Sequence, residues 1–175
     1  MLDKSKELWG LYDENKVSLD KAIKRNEKHK IKKGEFRLVA SVWIFNNKKE
    51  FLLTYRDPKK ETYPDCWDNT TGCIMYGETA VTGIIREVFE EIGISITKDE
   101  LYLMDTHKDT DYFMDLFIMK KDFPIENIVF QEGETTRALW VNLEELEALM
   151  KNGKVATFVV DMYYFTKDKI LEFIK

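Results

Sequence analysis

Short hydrophobic runs and longer periodic stretches alternate along the chain. The run 36–45, FRLVASVWIF, is rich in β-branched and aromatic residues and predicts a buried strand, with 50–56 as the strand that returns after a turn. Further strand patterns occupy 100–107, 112–120 and 137–143, and 7–18 reads as a strand, a turn and a second strand. The segment 57–72 between the predicted strands is polar and predicts a long loop that leads into a short strand.

Three segments have a helical period instead. In 79–93 the apolar residues recur every three or four positions, and a glycine, Gly93, stands where a helix commonly ends. This apolar stripe consists of Val81, Ile84, Ile85, Val88 and Ile92. The segments 143–153 and 156–175 predict two more helices. Strands with helices inserted between and after them predict the α/β class, with a mixed sheet covered by helices.

Composition narrows the class of protein. The chain has 175 residues, 44% of them hydrophobic, which fits one ordinary domain, and its net charge of −5 argues against general nucleic-acid binding. No run is long enough for a membrane helix, and the first ten residues contain no apolar signal region. The cysteines Cys66 and Cys73 fit neither a disulfide framework nor a zinc spacing. These features predict a cytoplasmic protein with free thiols.

A basic segment, 20–35, precedes the first long strand. Its lysines and arginines have two interpretations: a solvated face, the usual outcome of a charge run, or a rim that attracts an anionic substrate.

Three glutamates, Glu87, Glu90 and Glu91, share one helical patch in 79–93 at spacings i, i+3 and i+4. We expect the patch to lie opposite the apolar stripe. Like charges at this spacing destabilise a helix by about 0.2–0.5 kcal/mol per pair. The patch is either an acidic solvent face or a site for a hard divalent cation, whose binding would relieve the repulsion.

The surroundings of the patch favour the cation site. Gly72 is followed after five residues by Glu78, and after seven more by Arg86 and the segment EVFEEIGI. This spacing resembles the Nudix box, Gly-x5-Glu-x7-Arg-Glu-U-x-Glu-Glu-x-Gly-U with U aliphatic, at every fixed position of 72–94. The resemblance extends over about 35–175, with 1–34 as an N-terminal β-hairpin and basic segment packed on the domain. It implies the Nudix fold, an α/β/α sandwich whose box forms a loop–helix–loop.

The resemblance also implies a reaction: hydrolysis of a diphosphate bond in a nucleoside diphosphate linked to another group X, by a metal-activated water. It implies Glu87, Glu90 and Glu91 as ligands of Mg²⁺ or Mn²⁺. Arg86 would orient a carboxylate, with Glu78 as its partner. The partner implied is a small-molecule diphosphate, with no nucleic acid and no membrane; the oligomeric state is open, a homodimer included.

Residues outside the helix complete the predicted site. Many Nudix enzymes recruit a further acid, for which Glu134 is the first candidate and Glu132 the second. Gly72 would allow close approach of backbone to metal or phosphate. Substrate is expected against the 57–70 loop and the 107–115 segment, where Tyr63, Trp67 and Phe113 would stack on a base unless they serve only in packing.

Two rival functions remain. The segments WGLYDENKVS, GEFRLVASVWIFN and YPDCWDNTTG resemble the branch of the superfamily that contains isopentenyl-diphosphate isomerase, an enzyme of allylic proton transfer. That branch has a catalytic Cys where this chain has Thr71, and metal-binding histidines where it has Arg37 and Cys73. We expect Cys73 to be out of register with the nucleophile position and turned to the other side. The third class is a binding module without turnover, which the intact acids disfavour.

Overall fold

The computed structural model describes residues 6–175. In that range it contains nine strands and three α-helices. The strands are β1 Leu8–Tyr12, β2 Ser18–Lys24, β3 Phe36–Phe45, β4 Phe51–Arg56, β5 Trp67–Asp68, β6 Thr70–Cys73, β7 Tyr102–Lys108, β8 Tyr112–Lys120 and β9 Thr135–Val141. The helices are α1 Ala80–Ile92, α2 Leu143–Lys151 and α3 Thr157–Phe173. Among the described residues, no helix is both long and apolar enough to cross a membrane.

The strands form one mixed sheet around β3. One edge of β3 pairs in parallel with β8 along its whole length. The other edge is shared by three antiparallel partners in succession: β1 at residues 36–37, β6 at 39–42 and β4 at 45. Strand β9 extends the sheet beyond β4, and β7 extends it beyond β8. The N-terminal hairpin β1–β2 is therefore continuous with the main sheet.

Alternation along β3 builds a core on each face of the sheet. Leu38, Ala40 and Ile44 pack in a core with residues of α1, whereas Val39 and Trp43 pack in a second core with residues of α2 and α3. Each face is thus covered by helix, because a central strand with apolar side chains on both sides must be covered twice. The predicted α/β sandwich with a mixed sheet is confirmed.

Helix α1 has defined ends. Thr79 caps its start, with its side chain accepting from the Thr82 backbone N–H, and Gly93 ends it in the left-handed region at φ 70°. Glu90 lies opposite the apolar stripe as predicted, but the predicted orientation is wrong for Glu87 and Glu91, which are only 7% and 8% exposed. Each position is about 100° around the helix from the next, so these glutamates flank the apolar stripe instead of opposing it.

Candidate functional site

A pocket opens where β3, β6, α1 and the loop after β4 meet. Its walls carry three carboxylates, those of Glu87, Glu91 and Glu134, and four cationic side chains. The cations are Arg25, Arg37, Arg56 and Lys60. The structure therefore brings the two buried acids of α1 together with the predicted outlying acid, in a pocket whose cations suit an anionic ligand.

Arg86 forms hydrogen bonds with three of the box glutamates. Its Nε and Nη2 donate to the two oxygens of Glu78 at 2.8 and 3.0 Å, and its Nη1 donates to Glu87 at 2.8 Å and to Glu90 at 3.3 Å. Burial opposes ionisation of Glu78, but the hydrogen bonds from Arg86 and from the Met75 N–H, together with the charge of Arg86, outweigh that effect and lower the pKa of its carboxyl. Arg86 thereby offsets the repulsion expected among the glutamates and fixes the orientation of Glu87.

Gly72 leaves the space that Glu87 occupies. A Cβ atom at residue 72 would lie 2.1 Å from the Glu87 Cδ and 2.3 Å from its Oε1. The close approach predicted for Gly72 is therefore made by a glutamate side chain. A Cβ at Gly83 would lie 2.4 Å from the buried Ile74 Cδ1, so this glycine allows close packing of α1 against the core.

Glu134 reaches the pocket because the start of β9 is tied to the end of α1. The Thr135 hydroxyl donates to the Glu91 carbonyl at 3.0 Å, and the Asp57 N–H donates to the Glu134 carbonyl at 2.9 Å. The Glu134 carboxylate forms an ion pair with Lys60, and both side chains are largely buried. Glu132 is exposed and lies outside the pocket lining.

Arg56 anchors the loop that follows β4 through three hydrogen bonds. Its Nε and Nη2 donate to the carbonyls of Tyr63 and Thr62 at 2.8 Å, and its Nη1 donates to Asp68 at 2.6 Å. Burial raises the pKa of Asp68 to about 6, against the opposing effect of Arg56. The anchored loop places Tyr63 in the pocket, 5.1 Å from the Phe158 ring.

Several sequence-predicted residues lie elsewhere. Phe113 is 5% exposed in the core with α1, 5.0 Å from Phe36, because it is one residue out of phase with the strand positions that face the pocket. Trp67 packs edge-on against Tyr55 outside the pocket lining. Glu90, a predicted metal ligand, is also outside the lining and contacts Arg86.

The prediction that Cys73 turns away from the nucleophile position is wrong. Thr71 and Cys73 both line the pocket, because residues two apart in a strand point to the same side. The Cys73 Sγ accepts from Arg37 Nη1 at 3.4 Å. Burial raises the pKa of the Cys73 thiol, with Arg37 and Arg25 opposing the shift.

The residues present fit a divalent cation. Glu87 and Glu91 are buried carboxylates, which are hard oxygen donors, and they are joined by Glu134 on the same pocket wall. Within residues 6–175, no three Asp, Glu, His or Cys side chains lie close enough together to hold a metal ion in their present positions. Ion pairing of Glu87 with Arg86, and of Glu134 with Lys60, accounts for their present positions.

Comparison with known proteins agrees with this geometry. The NUDIX domain family matches residues 35–161. The chain is 35% identical over 149 residues to an uncharacterised Nudix hydrolase of Listeria monocytogenes, covering 85% of this chain and 87% of that one. It is 42% identical over 59 residues, a third of each chain, to an isopentenyl-diphosphate Delta-isomerase of Corynebacterium diphtheriae.

Solved structures share the fold. A protein of Deinococcus radiodurans, DR0079, superposes with a TM-score of 0.69 at 21% identity, covering 86% of this chain and 92% of that one. A bifunctional NMN adenylyltransferase/ADP ribose pyrophosphatase of Francisella tularensis, solved with AMP and a manganese ion, gives 0.64 at 17% identity, with 83% of this chain and 45% of that one covered. The chain belongs to the Nudix superfamily, and it is an enzyme of the Nudix pyrophosphohydrolase class.

Proposed function

We propose that the protein hydrolyses the diphosphate bond of a nucleoside diphosphate linked to another group X. The observation that carries the proposal is one pocket that holds the buried carboxylates of Glu87 and Glu91, the outlying acid Glu134 and four cationic side chains. A hydrolase needs this combination, because acids hold cations and activate water while basic groups attract a polyanionic substrate.

We assign Glu87 and Glu91 as the groups that would hold Mg²⁺ or Mn²⁺, with Glu134 as a further ligand or the base. When bound, such a cation neutralises phosphate oxygens and lowers the pKa of water near it. Arg86 orients Glu87 through its hydrogen bond, and Lys60 holds Glu134 through an ion pair. Tyr63 and Phe158 provide an aromatic wall for the group attached to the diphosphate.

The test is a screen of purified protein with Mg²⁺ or Mn²⁺ against nucleotides, sugar nucleotides, dinucleotides and prenyl diphosphates, with the products separated by chromatography. Cleavage of a nucleoside diphosphate linked to X gives a nucleoside monophosphate and phosphorylated X, whereas a nucleoside triphosphate gives pyrophosphate and a prenyl diphosphate gives inorganic phosphate. We expect hydrolysis of at least one nucleotide derivative, and no hydrolysis in the presence of a chelator. Turnover that continues with chelator present would contradict the proposal.

Glu134→Gln is expected to lower kcat by roughly 10²-fold or more, the usual scale for loss of a positioned acid or base. Glu132→Gln, which removes an exposed carboxylate two residues away, is the matched control and is expected to stay near wild type. Steady-state kinetics on the substrate found in the screen decides the matter. Equal, near-wild-type rates for the two variants would remove Glu134 from the site.

Isopentenyl diphosphate incubated with the protein in D₂O is expected to take up no deuterium and to yield no allylic isomer. Thr71 stands in the nucleophile position, and a hydroxyl is far too weak an acid to replace a thiol there. The thiol of Cys73 also faces the pocket, so Cys73→Ser is the informative variant, with an expected loss of hydrolysis below about threefold. An isomer detected by NMR that disappears in Cys73→Ser would favour isomerase chemistry instead.

A further inference from the structure

All four pocket cations lie outside the Nudix box, and two of them, Arg25 and Arg37, lie beside the N-terminal hairpin β1–β2. Arg25 follows directly after β2, in the N-terminal hairpin, and Arg37 lies near the start of β3. Both line the same pocket as Glu87. The family match begins at residue 35, so Arg25 is supplied by a segment that the matched domain does not include.

The guanidinium groups of Arg25 and Arg37 are held in place by aromatic rings. Arg25 and Arg37 lie 5.8 and 5.4 Å from the centroid of the Trp9 ring, and Arg37 also lies 4.9 Å from that of Tyr112. Trp9 is itself only 4% exposed. A cation–π contact of this kind restrains a guanidinium and leaves its N–H groups available for hydrogen bonding.

The described contacts use only part of this donor capacity. Arg37 donates through Nε to Asp111 at 3.4 Å and through Nη1 to the Cys73 sulfur, a weak acceptor. Arg25 donates through Nη1 to Glu7 at 3.2 Å. These contacts use Nη1 of Arg25 and both Nε and Nη1 of Arg37, and they do not involve Nη2 of either arginine. Two fixed guanidinium groups with remaining donors form a recognition surface for a phosphate or carboxylate.

The sheet register separates this pair from the other end of the pocket. Along one edge of β3, the partners follow in the order β1, β6 and β4. Arg37 pairs in register with β1. Gly72 belongs to β6 and packs against Glu87 of α1, and Lys60, which forms an ion pair with Glu134, lies in the loop after β4. A diphosphate held at the carboxylates of α1 therefore lies between the arginine pair and the Lys60–Glu134 pair.

We propose that Arg25 and Arg37 form a second anion subsite, which selects diphosphates that carry a further phosphate or carboxylate, either on the nucleoside or on group X. The inference rests on the proposed function, since the diphosphate is assumed to occupy the carboxylate end. It makes Arg25 and Arg37 specificity-determining residues and gives the N-terminal hairpin a role in substrate choice.

The test uses substrate pairs that differ by one anionic group: UDP-glucuronate against UDP-glucose, NADPH against NADH, and coenzyme A against dephospho-coenzyme A. For at least one pair we expect kcat/KM with Mg²⁺ to favour the charged member about tenfold to hundredfold, the scale of a charge-assisted hydrogen bond. Arg25→Gln and Arg37→Gln should remove most of that preference through KM, and Arg25→Lys should restore part of it. Lys24→Gln, an exposed charge loss on the same hairpin, should retain the wild-type preference.

Calorimetric Kd values for the same pairs, measured in a chelator, keep the two proposals distinguishable. A binding preference that Arg25→Gln abolishes supports the subsite even if no compound is hydrolysed, in which case only the proposed function fails. Hydrolysis with no charge preference in any pair, in rate or in Kd, overturns the subsite and leaves the hydrolase proposal standing. A preference that survives both Arg25→Gln and Arg37→Gln also overturns it. Thermal melts establish that each variant is folded.

Discussion

Replacing Glu91 by glutamine is expected to lower kcat for diphosphate hydrolysis by roughly 10³-fold, and replacing Glu87 by a similar factor. Both carboxylates are buried on the pocket wall, and we assign both to cation binding. Loss of the charge stabilisation that a catalytic cation provides costs several kcal/mol, and each 1.36 kcal/mol is a factor of ten in rate. Glutamine keeps the volume of the side chain, so we expect the fold to survive.

The position of Glu90 gives this prediction an internal comparison. Its carboxylate contacts Arg86 and lies outside the pocket lining, so Glu90→Gln should cost less activity than either buried glutamate. Glu126→Gln, an exposed charge loss far along the chain, should stay near wild type. Steady-state kinetics with Mg²⁺ measures all four variants. Equal losses for the three box glutamates would show that Glu90 moves into the site.

A second readout separates cation binding from other roles of the glutamates. A ligand that binds the native state raises the melting temperature. We therefore expect Mg²⁺ or Mn²⁺ to raise the melting temperature of wild type and to raise that of Glu91→Gln much less. A wild-type protein that shows no shift at saturating metal would argue against a cation site at these carboxylates.

Most of the fold follows from local patterns in the sequence. The run of β-branched and aromatic residues in β3 is long enough to predict a strand. In α1 the helical period of the apolar residues and the capping residues at both ends predict the same helix. The pairing of strands is a different matter. The parallel alignment of β3 with β8 joins residues more than seventy positions apart, and no local pattern specifies it.

The candidate site was predictable only as far as the motif extends. The box spacing pointed to Glu87, Glu90 and Glu91, but the burial of Glu87 depends on the space at Gly72, which is a tertiary feature, and Glu90 lies outside the pocket lining. The entry of Arg25 into the pocket depends on the hairpin joining the sheet, and nothing in a run of lysines and arginines marks that one residue. Whether an aromatic residue of a strand faces the pocket or the core depends on which side of the sheet its side chain points to, and Phe113 points into the core.

Gly72→Ala is expected to abolish most activity while it changes stability little. The new Cβ would lie within 2.3 Å of three atoms of the Glu87 side chain, so that side chain must leave its position. Glu87 has a flexible side chain, and a χ angle forced about 30° away from its rotamer costs only about 0.5–1.5 kcal/mol. Because a carboxylate displaced by even 1 Å no longer supports the reaction geometry, we expect kcat to fall about 10²-fold or more.

Gly83→Ala is the matched comparison, because the same substitution there should lower stability and leave activity largely unchanged. Its Cβ would meet the buried Ile74 in the core under α1, and overpacking costs about 1–3 kcal/mol, offset by up to about 1 kcal/mol of helix propensity. Gly83→Ala should therefore lower the melting temperature by several degrees, at about 2–4 °C per kcal/mol, with little direct effect on kcat. Gly10→Ala, where the nearest atom is 3.6 Å away, is the control for both. If Gly72→Ala retains wild-type kcat, Glu87 is not required where the structure places it, and the assignment of that carboxylate to the site fails.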